Sequence, residues 1–451
     1  MRKPLVTFWV ALALCASLPS AKAQTFRVPF SEFRLDNGLR VILSVDTAAP
    51  VVAVAVYYDV GSRNESRGRT GFAHLFEHMM FQGSGHIGKG EHFKYVESNG
   101  GYLNGSTHTD FTNYFEFLPS NQLEMALWLE SDRMRSLRIT PANLQNQKEA
   151  VKEEKRLNYD NQAYWALLEK MDEMVFSNWA NAHSTIGSMS DLEAATVADV
   201  QQFFDTYYAP NNAVLAIAGD IDPAQAESLV RKYFGTIPRR AAPPAVDVSE
   251  PAGVVAHKQT ADDPHAQTPA LAIAWKTRDR RAPDFYAVAL LKAILFDGDS
   301  SRLYSSLVKK EAAALEIRGT LEERRGPGQL AVFVIHKAEA QSREVEAVID
   351  AEIERVKRDG ITADELAKAK NQYRLSRFTC ESTLECTGLQ TALGRAMELA
   401  EFTLFDNDAS LINTEMDRYL AVSAEQVRDA ARRLFVESNK AVLYIRPARP
   451  Q

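Results

Sequence analysis

Cysteine is scarce in this chain. Its 451 residues include three, and Cys15 falls inside an N-terminal apolar run. The other two, Cys380 and Cys386, are too few for a thiolate metal site or a disulfide-built scaffold. On the helix expected there, an i, i+6 spacing points them to different faces. A disulfide between them therefore needs a break in that helix, and two free thiols fit equally well. An excess of positive charge is also missing. Lys and Arg number 52 against 59 Asp and Glu, a net charge of -7. That leaves no electrostatic footprint for nucleic acid or an anionic membrane. Long apolar runs are missing too, apart from the first residues, so no integral membrane segment is expected in the mature chain.

What is present is a secretory leader and a globular remainder. Arg2 and Lys3 precede the apolar run Leu5 to Leu18, and Ala21-Lys22-Ala23 is a small-x-small cleavage site, so residues 1–23 read as a signal peptide. Cys15 follows Leu14 where a lipoprotein signal needs a small residue, which argues against lipidation. The expected location is outside the cytoplasm, with a bacterial periplasm the best fit. Hydrophobic content of 45% and charged content of 25% are globular values, in a chain too long for one ordinary core.

The order of elements repeats. Asn37-Gly38 sits between two alternating runs, a hairpin signal, and VVAVAVYY from Val51 reads as a central strand. Residues 83–105 read as a glycine-rich loop interrupted by a short helix, and 111–117 alternate as a strand. Helices are expected over 121–135 and 141–158. Thr196 to Asp199 is a capping box whose helix leads through an Asn-containing turn to AVLAIAG. Ser423 to Gln426 opens the same sequence of features, ending in AVLYIRP, at a spacing of 227–228 residues. The chain reads as two homologous α/β halves, 24–235 and 266–451, joined by a Pro- and Ala-rich linker at 236–265.

Only the first half carries His74-Leu75-Phe76-Glu77-His78. Thr70 can cap a helix through this stretch, and nothing from Phe72 to Phe81 breaks it. His74 and His78 are one turn apart on one face, with Glu77 beside His74. Two such imidazoles can hold one zinc ion, and the carboxylate can take a proton from water. The pattern is the inverse of His-Glu-x-x-His and is a zinc-protease signature. The other positions of this helix are apolar all round, so it should be buried. Three ionisable groups there are costly unless something pairs with them, and a hydrogen-bonded core cluster is the competing explanation.

A third ligand is needed. In 141–158, Ala150, Val151, Glu154 and Leu157 share an apolar stripe while Glu149 and Glu153 fall on the polar side, which selects Glu154. His86, His92 and His108 sit in polar or glycine-rich segments and are expected in solvent.

These residues resemble the pitrilysin/insulinase family of inverse-zincin metallopeptidases, and most of all the short two-domain bacterial members similar to mitochondrial processing peptidase subunits. The resemblance spans nearly all of the mature chain. It rests on His74-x-x-Glu77-His78, on a glutamate 76 positions beyond His78, and on GGYLNGSTHTDFTNYFEF. It implies an α+β fold of two halves facing each other across a cavity. It implies zinc on His74, His78 and Glu154, Glu77 as general base, and Asn104 against the backbone of an extended peptide lying along an edge strand. The implied activity is that of a zinc metalloendopeptidase. Two positions depart from the family pattern. Gln147 stands where a second glutamate is common, and Val308 and Leu315 stand where self-sufficient members carry an arginine and a tyrosine. A homologous partner subunit supplying that pair is therefore expected, in a heterodimer or, as a variant, a homodimer. A non-catalytic peptide-binding or structural subunit is the alternative, and a zinc hydrolase of a non-peptide bond is a further one.

Overall fold

The computed structural model describes residues 26–380 and 387–448. The signal peptide assigned to 1–23 and Cys386 lie outside them. Cys380 is disulfide-bonded, and the helix before it stops at Ser376, which supplies the break that such a bond requires. No described helix is long and apolar enough to cross a membrane.

The fold is α+β. A first sheet runs β1 (Ser31–Arg34), β2 (Arg40–Val45), β3 (Val51–Tyr58), β4 (Tyr102–Thr107), β5 (Thr112–Pro119) and β6 (Ala213–Gly219) along the chain, in spatial order β1-β2-β6-β3-β5-β4. A second is built from β7 (Lys258–Asp263), β8 (Ala270–Lys276), β9 (Ala314–Leu321), β10 (Gln329–His336) and β11 (Lys440–Pro447), in order β7-β11-β8-β10-β9. Remove β1 and the two orders superpose strand for strand. Each sheet has one parallel pair, β2 with β6 and β7 with β11, and the rest is antiparallel. Gly38, at φ 96°, turns the β1–β2 hairpin. Strand β7 lies within the expected linker 236–265. Its sequence, KQTADD, is mostly exposed at a sheet edge and lacks the alternation that marks a strand. Part of the expected glycine-rich loop is likewise a strand, β4.

The repeated segments match in detail. Thr196 and Ser423 each accept from the amide three residues on. After each helix an asparagine bridges two elements: Asn212 donates to the carbonyls of Asp59 and Tyr207, and Asn439 to those of Lys276 and Leu434.

Helices of the first half used below are α1 (Phe72–Met79), α2 (Leu123–Arg135), α3 (Pro141–Lys155) and α4 (Val197–Tyr207). From the second half come α5 (Ala392–Asp406) and α6 (Ala424–Leu434). Side chains of a strand alternate between faces. Val52, Val54, Val56, Leu215 and Ile217 therefore meet α1, α2 and α4, whereas Ala53, Ala55, Ala216 and Ala218 form a flat reverse face. That reverse face is covered by Leu393, Ala396, Leu399 and Ala400 of α5, a helix of the other half. The exchange is mutual. Ala270, Ala272, Ala274 and Ala441 of the second sheet are covered by Leu167, Met171, Met174 and Phe176 of the first half. The halves are contiguous in their sheets but interleaved in their layers.

Strand β5 and helix α2 enclose an ionic cluster. Glu116, Glu130 and Arg133 are fully buried, and the Arg133 Nε donates to Glu130 Oε2 at 2.9 Å. Burial, and then Glu130, hold the Glu116 carboxyl well above the usual carboxylate range. One guanidinium balances this whole group. Arg133→Ala is expected to cost about 3–5 kcal/mol in a urea titration, because it leaves Glu130 buried without a counter-charge. A loss well under 1 kcal/mol would contradict this reading.

Candidate metal centre

Helix α1 is held from beneath by a carboxylate. Gly71, at φ 80°, occupies the N-cap, and a Cβ there would lie 2.7 Å from the Ile186 carbonyl oxygen. Thr70 is not the cap; its hydroxyl donates to Asp191 at 2.6 Å. Instead Glu65, fully buried, accepts from the amides of Gly71 and Ala73 at 3.0 and 2.8 Å. An anion at this end of a helix is favoured by the helix dipole. The Glu65 carboxylate also lies 3.0 Å from the His183 Nε2. Burial pulls the His183 imidazole down, but its bond to Glu65 outweighs that and leaves it raised.

Helix α1 then presents its two histidines to the end of α3. The buried stripe of α3 runs Leu144, Gln147, Lys148, Val151, and Glu154 follows in the same phase. Ala150 and Leu157, expected on this stripe, are exposed. The His74 Nε2 lies 3.7 Å and the His78 Nε2 3.3 Å from Glu154 Oε2. One donor atom from each of the three residues falls within 4.8 Å of the others. A tetrahedral ion with bonds of about 2.0–2.1 Å spaces its ligands about 3.3 Å apart. The two nitrogen–oxygen distances are close to that spacing and all three atoms lie within 4.8 Å, a donor set that fits a divalent cation. The His74 Nδ1 is buried without a partner, and the His78 Nδ1 lies 3.3 Å from Gln147 Oε1.

The charges respond to one another. Burial, reinforced by His78, pushes the His74 imidazole down to about 4, so its lone pair is free at neutral pH. The Glu154 carboxylate is lowered, first by its hydrogen bond with His78. Glu77 is raised by burial, against the Thr107 hydroxyl that donates to its Oε2 at 2.6 Å. Thr107 is on the edge strand β4, and Gly105 two residues earlier lets that strand approach. A Cβ at Gly105 would lie 3.2 Å from the Glu77 Cγ.

His74, Glu77 and Glu154 open onto a cavity of about 580 Å³. Residues 105–111 form one wall, and Glu322, Glu323 and Arg324 of the second half form another. Asn104 is exposed on β4, next to the lining but outside it. Gln147 reaches His78. Val308 is packed against the second core and Leu315 is exposed, so neither position offers a polar donor. Of the flanking histidines, His86 is exposed and pairs with Asp132, and His108 stacks on Phe111 in the cavity wall. His92 departs from expectation. It is fully buried, because its helix turns His92 and Val96 inward together.

Comparison with known proteins agrees with this architecture. A family profile described as Insulinase (Peptidase family M16) matches residues 40–188, and that of the Peptidase M16 inactive domain matches 194–373. The chain belongs to peptidase family M16. This M16 chain is similar to the Zinc protease PqqE of Helicobacter pylori, 27% identical over 442 residues and 95% of each chain. It is also similar to the Mitochondrial-processing peptidase subunit beta of Lentinula edodes, 25% identical over 285 residues, 62% of this chain and 61% of that one. A crystal structure of a protease from Helicobacter pylori aligns with a TM-score of 0.87 at 25% identity, over 94% of this chain and 100% of that one.

Sequence reasoning missed Glu65, Thr107, His183 and the Glu322–Arg324 wall. Thr107 carried a usable signal, since positions 105 and 107 must share one face of a strand. The others come from loops and turns, where periodicity says nothing.

The Glu65–His183 pair gives a pH-dependent test. The pKa of His183 is raised by folding, so its contribution is complete below the unfolded value of about 6.5 and fades as pH rises through the folded one. His183→Gln is expected to destabilise by about 1.5–3 kcal/mol near pH 6, with the gap narrowing toward about pH 9 in urea titrations. A gap independent of pH would contradict the assignment.

Proposed function

We propose that this chain is a zinc-dependent endopeptidase acting on short or unfolded peptides. The observation that carries this reading is the convergence of His74, His78 and Glu154, with Glu77 facing the same cavity. When bound there, zinc supplies a Lewis acid that polarises a peptide carbonyl and makes water acidic enough to attack at neutral pH.

The chain's own groups do the rest. Among the described residues no strand pairs with the outer side of β4, so an extended peptide can add to it, with exposed Asn104 at hand for the peptide backbone. Glu77 accepts a proton as the water oxygen bonds to the carbonyl carbon. As the C–N bond breaks, the same proton passes to the departing amine. Thr107 holds one Glu77 oxygen, which leaves the other for this transfer. A cavity of about 580 Å³ has room for an extended segment and none for a folded domain.

Neither Val308 nor Leu315 can donate a hydrogen bond to the developing oxyanion. In this reading a homologous partner subunit brings an arginine and a tyrosine to the cavity, and this chain is the metal-bearing member of the heterodimer. Arg2, Lys3, the following apolar run and Ala21-Lys22-Ala23 favour export, with the periplasm as the working compartment.

Glu77→Gln is expected to keep one zinc per chain and lose about 10²–10⁴-fold in kcat on an unstructured peptide. Turnover near that of the parent would remove Glu77 from the base role. Adding the co-expressed partner is expected to raise kcat by about 10²–10³-fold. A chain fully active alone, and unaffected by any co-purifying subunit, would contradict the heterodimer.

A further inference from the structure

Gln147, which stands where the family pattern commonly has a second glutamate, is buried and touches the site. It lies seven residues before Glu154, two turns along the same face of α3. Its Oε1 is 3.3 Å from the His78 Nδ1, and its Nε2 donates to Asn146 Oδ1 at 2.9 Å. That second bond fixes which way the amide points. With the nitrogen committed to Asn146, the oxygen faces His78, and an oxygen can only accept. The His78 Nδ1 must therefore carry a hydrogen, and once the Nε2 gives up the hydrogen it shares with Glu154, its lone pair is free for a cation between the two.

We propose that Gln147 is a positioning residue for the cation site, setting the tautomer and ring orientation of His78. The proposal rests on the metal reading above and adds the part Gln147 plays in it. His74 and His78 are held differently. His74 has no hydrogen-bond partner at Nδ1 and is fixed by burial, with its side chain 12% exposed. The side chain of His78 is 24% exposed, and Gln147 is its tether on the side away from Glu154. A carboxylate at 147 would accept the same hydrogen. It would also place a third anion beside Glu77 and Glu154. The amide gives direction without charge.

The test is a zinc competition titration against a chromophoric chelator, using the full mature chain. Parent protein is titrated first, and failure to bind zinc there would sink the metal reading itself and the role of Gln147 with it. Given parent binding, Gln147→Ala is expected to raise the zinc dissociation constant about 10–100-fold. Gln147→Glu is expected to restore parent affinity or exceed it. In zinc-loaded protein, the slowly exchanging Nδ1 proton of His78 should be visible by NMR in the parent and lost in Gln147→Ala. A purely structural role would instead lower the melting temperature of metal-free Gln147→Ala and leave its zinc affinity unchanged. Unchanged affinity in Gln147→Ala, or a Gln147→Glu variant no tighter than Gln147→Ala, would overturn the proposal.

Discussion

Two imidazoles and a carboxylate meet at one point, and the surrounding structure is arranged so that they can. Each group alone is expensive to bury. Helix α1 makes no concession to this cost. It is apolar on every other face and packed into the largest core, so His74 and Glu77 are carried into the protein by their neighbours Phe72, Ala73, Leu75, Phe76 and Met79. What offsets the cost is local. Glu65 answers the helix amides, Thr107 answers Glu77, Gln147 answers His78, and Glu154 faces both rings. The lone exception is the His74 Nδ1. These partners come from three segments, with Gln147 and Glu154 both on α3, so the site is assembled by tertiary packing and not by the motif.

The second requirement is a stable gap between two halves. A hinge with few contacts would let it collapse or open. Here each half lends the other a covering layer, α5 on the first sheet and residues 164–176 on the second. The alanines on these faces are what allow it, since a helix needs a flat surface to lie on and a larger side chain would lift it off. The cavity walls are consequently tied to both cores. Glu322–Arg324 reaches the site from the second half, and buried Arg324 is anchored back on the first through the Asn181 carbonyl.

Much of this was legible in the sequence, for identifiable reasons. The helix carrying His74 and His78 follows from the absence of any breaker between Phe72 and Phe81, although its cap is Gly71 and not Thr70. The twofold repeat follows from Thr196 and Ser423, because capping boxes leave a local mark. Glu154 was chosen through helical phase, and the phase was right even though Ala150 and Leu157 proved exposed. Its companions on the buried face are Leu144 and the expected Val151, together with Gln147 and Lys148, polar residues that a hydrophobic pattern does not select. Strand β7 and the exchange of layers were illegible. An edge strand has one unpaired side and little apolar content, and nothing in a sequence tells a helix whose sheet it will cover. Buried His92 was misplaced for a related reason: a polar residue inside a core looks like any other polar residue until its partner is known.

The account stands or falls on a shared cation. The direct measurement is anomalous diffraction at the zinc edge from crystals of the chain purified without chelators. One peak is predicted between the His74 Nε2, the His78 Nε2 and Glu154, about 2.0–2.2 Å from each. Crystals without a peak there, in protein supplied with zinc and with all three side chains ordered, would contradict it.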